Sequence, residues 1–211
     1  LVKDNMKFKI GDKITLVNLN QINSDLALKK YEVALPKSRV SEAYYTAFNG
    51  IVNEVSILDE AYRNEVIPLL IKIKEKYDAK NLEGLSSLAS QIQILNKAQK
   101  DRAVILSGYL KSLSETNNIV ADNETKSLTA NFISSGVKVA EAFTAYGSFV
   151  DTVLSGSNLG ANAVGQTKTT AENLQSSVAD FAKSSQTMIS FFSKTIQSDL
   201  QIKTGTTTKA K

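Results

Sequence analysis

The chain predicts an all-α protein, an elongated antiparallel bundle of four to five long helices, and three observations lead there. Apolar residues recur every three or four positions along several long stretches, the spacing of one face of an α-helix. Only 2 prolines and 10 glycines interrupt a sequence rich in Ala, Leu, Lys, Gln and Ser, which favours helix throughout. The stretches are joined by short polar connectors, and short connectors make successive helices antiparallel neighbours.

The elements follow in chain order. Phe8 and Ile10, then Ile14 and Leu16, alternate around Gly11-Asp12. That is the pattern of a short N-terminal β-hairpin, with helix an equal alternative over 7–17. Leu19, Ile22, Leu26 and Leu28 predict a first helix over 18–34, and Pro36 either ends it or starts the next element. The central element is Val40 to Tyr77. Val40, Tyr44, Ala47, Ile51, Val55, Leu58, Tyr62, Val66, Leu69, Ile73 and Tyr77 form one unbroken stripe. Pro68 falls inside it and lacks a donor, so a kink is expected there. The stripe keeps its phase across Pro68, which favours a kink over a break.

Residues 78–81 make a connector, and Leu82 to about Thr116 predicts the next helix. Its seam is Leu85, Leu88, Ile92 and Leu95, then Ala103, Leu106, Leu110 and Leu113. Gln99 and Arg102 fall between and read as the edge of a rotating stripe, with a functional polar core pair as the alternative. Asp122 is placed to cap a third helix, carrying Leu128, Phe132, Val139, Phe143, Tyr146, Val150 and Leu154 on one face. Gly136 and Gly147 lie inside it, and each glycine costs on the order of 1 kcal/mol against alanine. The Gly-rich run Ser155 to Gly165 is a breaker. Thr169 and Glu172 suit a capping box for a last helix bearing Leu174, Val178, Phe181, Met188, Phe192, Ile196 and Leu200, with Ser185 interrupting the stripe. Residues 1–203 read as a single elongated bundle and 204–211 as a disordered polar tail. Each long helix spans roughly 45–60 Å at 1.5 Å per residue.

Composition excludes much chemistry. The chain has no cysteine and no histidine, so it lacks the thiol nucleophile, the thiolate metal site and the imidazole base. The acids Asp59, Glu60, Glu141 and Asp151 read as helix-surface residues. No phosphate-binding, dinucleotide or nucleophile-elbow motif appears. No enzyme activity, cofactor or metal is expected. The net charge of +4 is mild, and Arg39, Arg63 and Arg102 are isolated, which argues against nucleic acid. No stretch approaches the roughly 20 apolar residues of a spanning helix, and no signal peptide is visible.

The remaining candidates are contact surfaces. In the pairs Tyr44-Tyr45 and Phe191-Phe192 one ring falls on the stripe and its neighbour points about 100° away. The stretch Phe132 to Gly165 carries only Lys138, Glu141 and Asp151 as charges. Candidate contacts with a membrane surface or a helical partner protein are therefore Tyr45, Phe132, Phe143, Phe149, Leu159 and Phe191.

Two resemblances bear on the partner. Asp78-Ala79-Lys80, then Gly84-Leu85-x-x-Leu88-x-x-x-Ile92 and Asn96-Lys97-Ala98, resemble the long-helix region of helical pore-forming toxins of the haemolysin BL type, over roughly Ile57 to Phe132. That likeness implies a secreted, non-enzymatic toxin component that docks on or inserts into membranes. The two helices flanking Leu159-Gly160, with serine-rich faces, are similar to the helical-hairpin proteins exported by type VII secretion, which implies a partner-binding effector or chaperone-like protein. A cytoplasmic adaptor bundle is the third reading. Homo- or hetero-oligomers suit all three.

Overall fold

The computed structural model describes residues 40–79, 81, 83–154, 170 and 172–194. The described residues contain helix and turn without any strand, and the all-α bundle prediction holds. The expected N-terminal hairpin or helix, the breaker 155–165, the Thr169 cap and the polar tail lie outside the described residues.

Helix α1 is Glu42–Ala61. It passes through one π turn, Tyr62–Val66, into α2, Ile67–Asp78. Helix α3 is Leu85–Asn117, α4 is Asn123–Leu154, and α5 covers 172–194. Ser41 caps α1 by accepting from the Tyr44 amide at 3.1 Å. Asp122 caps α4 as its sequence position predicts, accepting at Oδ2 from the Thr125 amide at 2.9 Å and from the Thr125 hydroxyl. Gly84 precedes α3 with φ 76°, in the left-handed region, and sets the start of that helix at Leu85 rather than Leu82.

The π turn modifies the expectation at Pro68. The Ile67 amide bonds to the Tyr62 carbonyl five residues back, so the helix widens immediately before the proline. Pro68 then stands exposed in the first turn of α2, where its missing donor costs little. The helix continues, but the extra residue shifts the stripe. Val66, Ile67, Leu70 and Ile73 are buried, and Leu69, which an unbroken phase would bury, is only partly covered.

Contacts between named residues fix the topology. Glu54 meets Arg102 and Tyr62 meets Asn96, so α3 runs antiparallel to α1. Asn117 meets the Lys126 carbonyl and Asn96 that of Gly147, so α4 runs antiparallel to α3. Tyr44 meets Thr129 and Tyr62 stacks on Phe143, so α1 and α4 are parallel. The core is aromatic at the end where α1 begins. Phe48 stacks on Phe132 with centroids 4.7 Å apart and meets Phe192 edge-on at 5.5 Å. Phe132 also touches Phe181 at 5.4 Å. α5 thereby closes the bundle over α1 and α4. Burying each such ring contributes roughly 1.5–3 kcal/mol.

Gly136 shows why α4 carries glycine inside a helix. A Cβ there would stand 2.5 Å from Leu110 Cδ2, so the glycine lets α3 and α4 approach closely. Gly108 on α3 has nothing within 4 Å of such a Cβ. The two positions should therefore respond oppositely. Gly136→Val is expected to cost about 2–3 kcal/mol by overpacking, and Gly108→Ala to gain about 0.5–1 kcal/mol through helix propensity. Thermal unfolding followed by circular dichroism checks both; equal losses would contradict the packing described.

Candidate functional site

Two features stand apart from ordinary core packing: a polar chain through the bundle and an apolar groove on its surface.

The polar chain begins at the π turn. Tyr62 is 2 % exposed, and its ring lies between Phe143, stacked at 5.7 Å, and Tyr146, edge-on at 5.4 Å. Its hydroxyl donates to Asn96 Oδ1 at 2.8 Å. Asn96 is fully buried, and its Nδ2 donates both protons, to the Gly147 carbonyl at 2.9 Å and to Asp151 Oδ1 at 2.8 Å. Lys100 closes the chain by donating to Asp151 Oδ2. The path runs from the core outward to a half-exposed ion pair. Burial raises the Tyr62 pKa well above its usual value, and the Asp151 charge adds to the rise. The phenol therefore stays protonated and acts as a donor.

Gly147 makes this geometry possible. A Cβ there would lie 3.1 Å from Lys100 Cγ and 3.3 Å from the Tyr62 hydroxyl. A second tyrosine clamp holds the other end of α4. Tyr44 bonds Thr129 Oγ1 at 2.6 Å, and Thr129 donates in turn to the Thr125 carbonyl at 2.6 Å. Tyr44 must then be the donor, and burial pushes its pKa up to about 12. Tyr44 bonds Thr129 and Tyr62, in the π turn, stacks on Phe143, so this helical run grips α4 at two levels.

Asn96 is the residue sequence reasoning missed. Its signal was a polar side chain at seam spacing, in Ile92, Asn96, Gln99 and Ala103, all of them buried. Gln99 thus belongs to the core row and not to a stripe edge. Arg102 does lie at the edge, where it donates to the buried Glu54 at 2.9 Å. Two acids read as surface residues are placed otherwise: Asp59 is buried beside Arg63 at 3.8 Å, and Asp151 belongs to the polar chain.

The groove lies between α3 and α4. Leu110, Ile133, Val137 and Ala140 form its floor, with Ser107 and Thr144 between them and Lys111 and Glu141 on opposite banks. Val137 is 40 % exposed, and Val104, one turn before Ser107, is 72 % exposed.

The predicted contact residues separate accordingly. Tyr45 is exposed and its neighbour Tyr44 buried, as the spacing requires. Phe149 and Phe191 are partly buried, against Tyr146 at 5.5 Å and Phe192 at 5.8 Å. Phe132 and Phe143 are corrected to core residues, because both fall on the inward stripe of α4. Leu159 lies outside the described residues. No helix among the described residues is long and apolar enough to cross a membrane. None of the five described ones lines the groove.

Two outcomes follow from the clamps. Tyr62→Phe strands the buried Asn96 Oδ1 and should cost about 1–3 kcal/mol. Tyr44→Phe leaves Thr129 bonded to its own helix and should cost about 0.5–1.5 kcal/mol. Urea unfolding ranks them, and the reverse order would refute the assignment. Both tyrosines have folded pKa values above the unfolded value. Their stabilising effect is complete below pH 10 and is lost as pH rises above it, through about 12 for Tyr44 and over a higher range for Tyr62, at up to about 1.4 kcal/mol per pH unit for each. Alkaline unfolding coincident with growth of the tyrosinate absorption band is the expected result, and ionisation without unfolding the contrary one.

No family model, curated protein or solved structure matches the chain.

Proposed function

We propose that this chain is a non-enzymatic docking protein whose binding surface is the α3–α4 groove and whose target is another protein. The observation that carries this reading is the groove itself, an apolar floor along two packed helices that no described residue covers. Grooves of this form accept a helix that presents residues at i, i+3, i+4 and i+7. The absence of histidine and cysteine from the sequence fits action by contact rather than by catalysis.

A protein target suits the surface better than lipid does. Phe132 and Phe143, the rings that α4 would offer to a membrane, are in the core, so insertion would require the bundle to open. Export as a component of the toxin type is the extension suggested by the resemblance over Ile57 to Phe132. Membrane insertion is the reading to test against docking.

The absence of native thiols makes the test direct. Ser107→Cys, labelled with a photo-crosslinker, should form protein adducts in extracts of the producing cells. Gln91→Cys, exposed on another face of α3, should form far fewer. The reading fails if the two positions behave alike, or if the protein floats with lipid vesicles and forms no protein adduct.

A further inference from the structure

We propose that the occupant of the α3–α4 groove is a second copy of this chain, related by a two-fold axis along the groove that sets α3 of each copy against α4 of the other. This rests on the docking reading above and names its partner. The charge layout points to it. Lys111 stands on the α3 bank and Glu141 on the α4 bank. Neither joins an ion pair among the described residues. The contact of Gly136 with Leu110 sets the level of the two helices, so Lys111 and Glu141 lie about 9 Å apart along the bundle axis. A lysine side chain spans most of that offset.

Rotation about the two-fold axis brings Lys111 of each copy toward Glu141 of the other and forms two equivalent pairs, as an isologous interface requires. A foreign helix would need an acid and a base laid out to mirror these banks; a second copy supplies them by symmetry. The two floors, with Ile133, Val137 and Ala140 from each chain, then face each other as the core of a four-helix contact. Glu115, one turn from Lys111 on the same bank, stays at the rim. The face is two helices wide and about 20 Å long, or roughly 400 Å² per copy. That is about half the area per partner of a standard interface, so the dimer is weak and forms in the upper micromolar range.

Sedimentation velocity on the 211-residue chain from micromolar to millimolar concentration tests this. The expected result is a monomer that becomes a dimer as concentration rises. K111E or E141K alone should raise the dissociation constant about tenfold, since each sets like charges together. The double variant K111E/E141K should restore it to within about twofold of the parent. Val137→Asp should abolish the dimer. All three side chains are exposed, so circular dichroism should show each variant folded. A monomer at every concentration overturns the proposal, as does a dimer indifferent to all the variants or a double variant as weak as the single ones. If the chain stays monomeric while the Ser107→Cys probe still captures a different protein, docking stands and self-association falls. If the probe captures nothing, both fall.

Discussion

The hydrogen bond from Tyr62 to Asn96 is the constraint around which the middle of this bundle is arranged. A phenol and an amide are both buried there, and neither is tolerable in an apolar core without the other. Satisfying them requires three segments at one level: the π turn after α1 must bring the hydroxyl, α3 the amide, and α4 a bare carbonyl with no side chain in the way. The amide then has one acceptor and two donors all engaged. A one-residue slip of α4 against α3 would break two of those bonds. Apolar stripes alone permit such slips, because one leucine packs nearly as well as the next. The polar chain therefore sets register where hydrophobic burial sets only affinity between helices.

The π turn and Gly147 follow from the same requirement. A π turn sacrifices regular bonding to admit an extra residue, and this one begins at Tyr62 itself. It lets the stripe of α1 serve the Tyr44 end and the stripe of α2 serve the far end, though the two differ in phase. Gly147, unfavourable for an isolated helix, leaves room where a Cβ would lie 3.3 Å from the Tyr62 hydroxyl. α4 is thus a helix whose sequence is poor for helix formation and good for contact, and it depends on its neighbours for stability.

Most of the fold was legible because helical stripes are long and periodic. The Val40–Tyr77 and Leu82–Thr116 stripes located α1 to α3 within a few residues, and Asp122 marked the start of α4 by its capping chemistry. What stayed hidden depends on which helices meet. Asn96 looks like any polar interruption until Tyr62 and Gly147 are known to face it. Phe132 and Phe143 drew notice as aromatic residues in a weakly charged segment, yet their position on the stripe already placed them inward. Ser185 interrupts the α5 stripe in sequence but not in space: it is buried, and its hydroxyl donates to the Phe181 carbonyl at 2.8 Å, so a polar residue occupies a core position with its bonding satisfied inside its own helix. The groove was invisible because its floor draws one or two residues per turn from each of two helices.

The aromatic core also explains why the groove lies where it does. Phe48, Phe132 and Phe192 pull α1, α4 and α5 together, and the stack of Tyr62 on Phe143 holds α1 to α4 farther along. α3 packs along both α1 and α4, held by Asn96, by the Arg102–Glu54 pair and by its leucine seam. It packs on α4 through small residues, with Leu110 seated over Gly136. Close approach at that contact leaves the flanks of both helices standing outward, and Ile133, Val137 and Ala140 line the cleft between them. An uncovered apolar cleft is costly in water, at about 25 cal/mol for each Å² left wet, and no described element of this chain lies over it. Packing economy inside the bundle thus leaves an apolar cleft between α3 and α4 that no described residue covers.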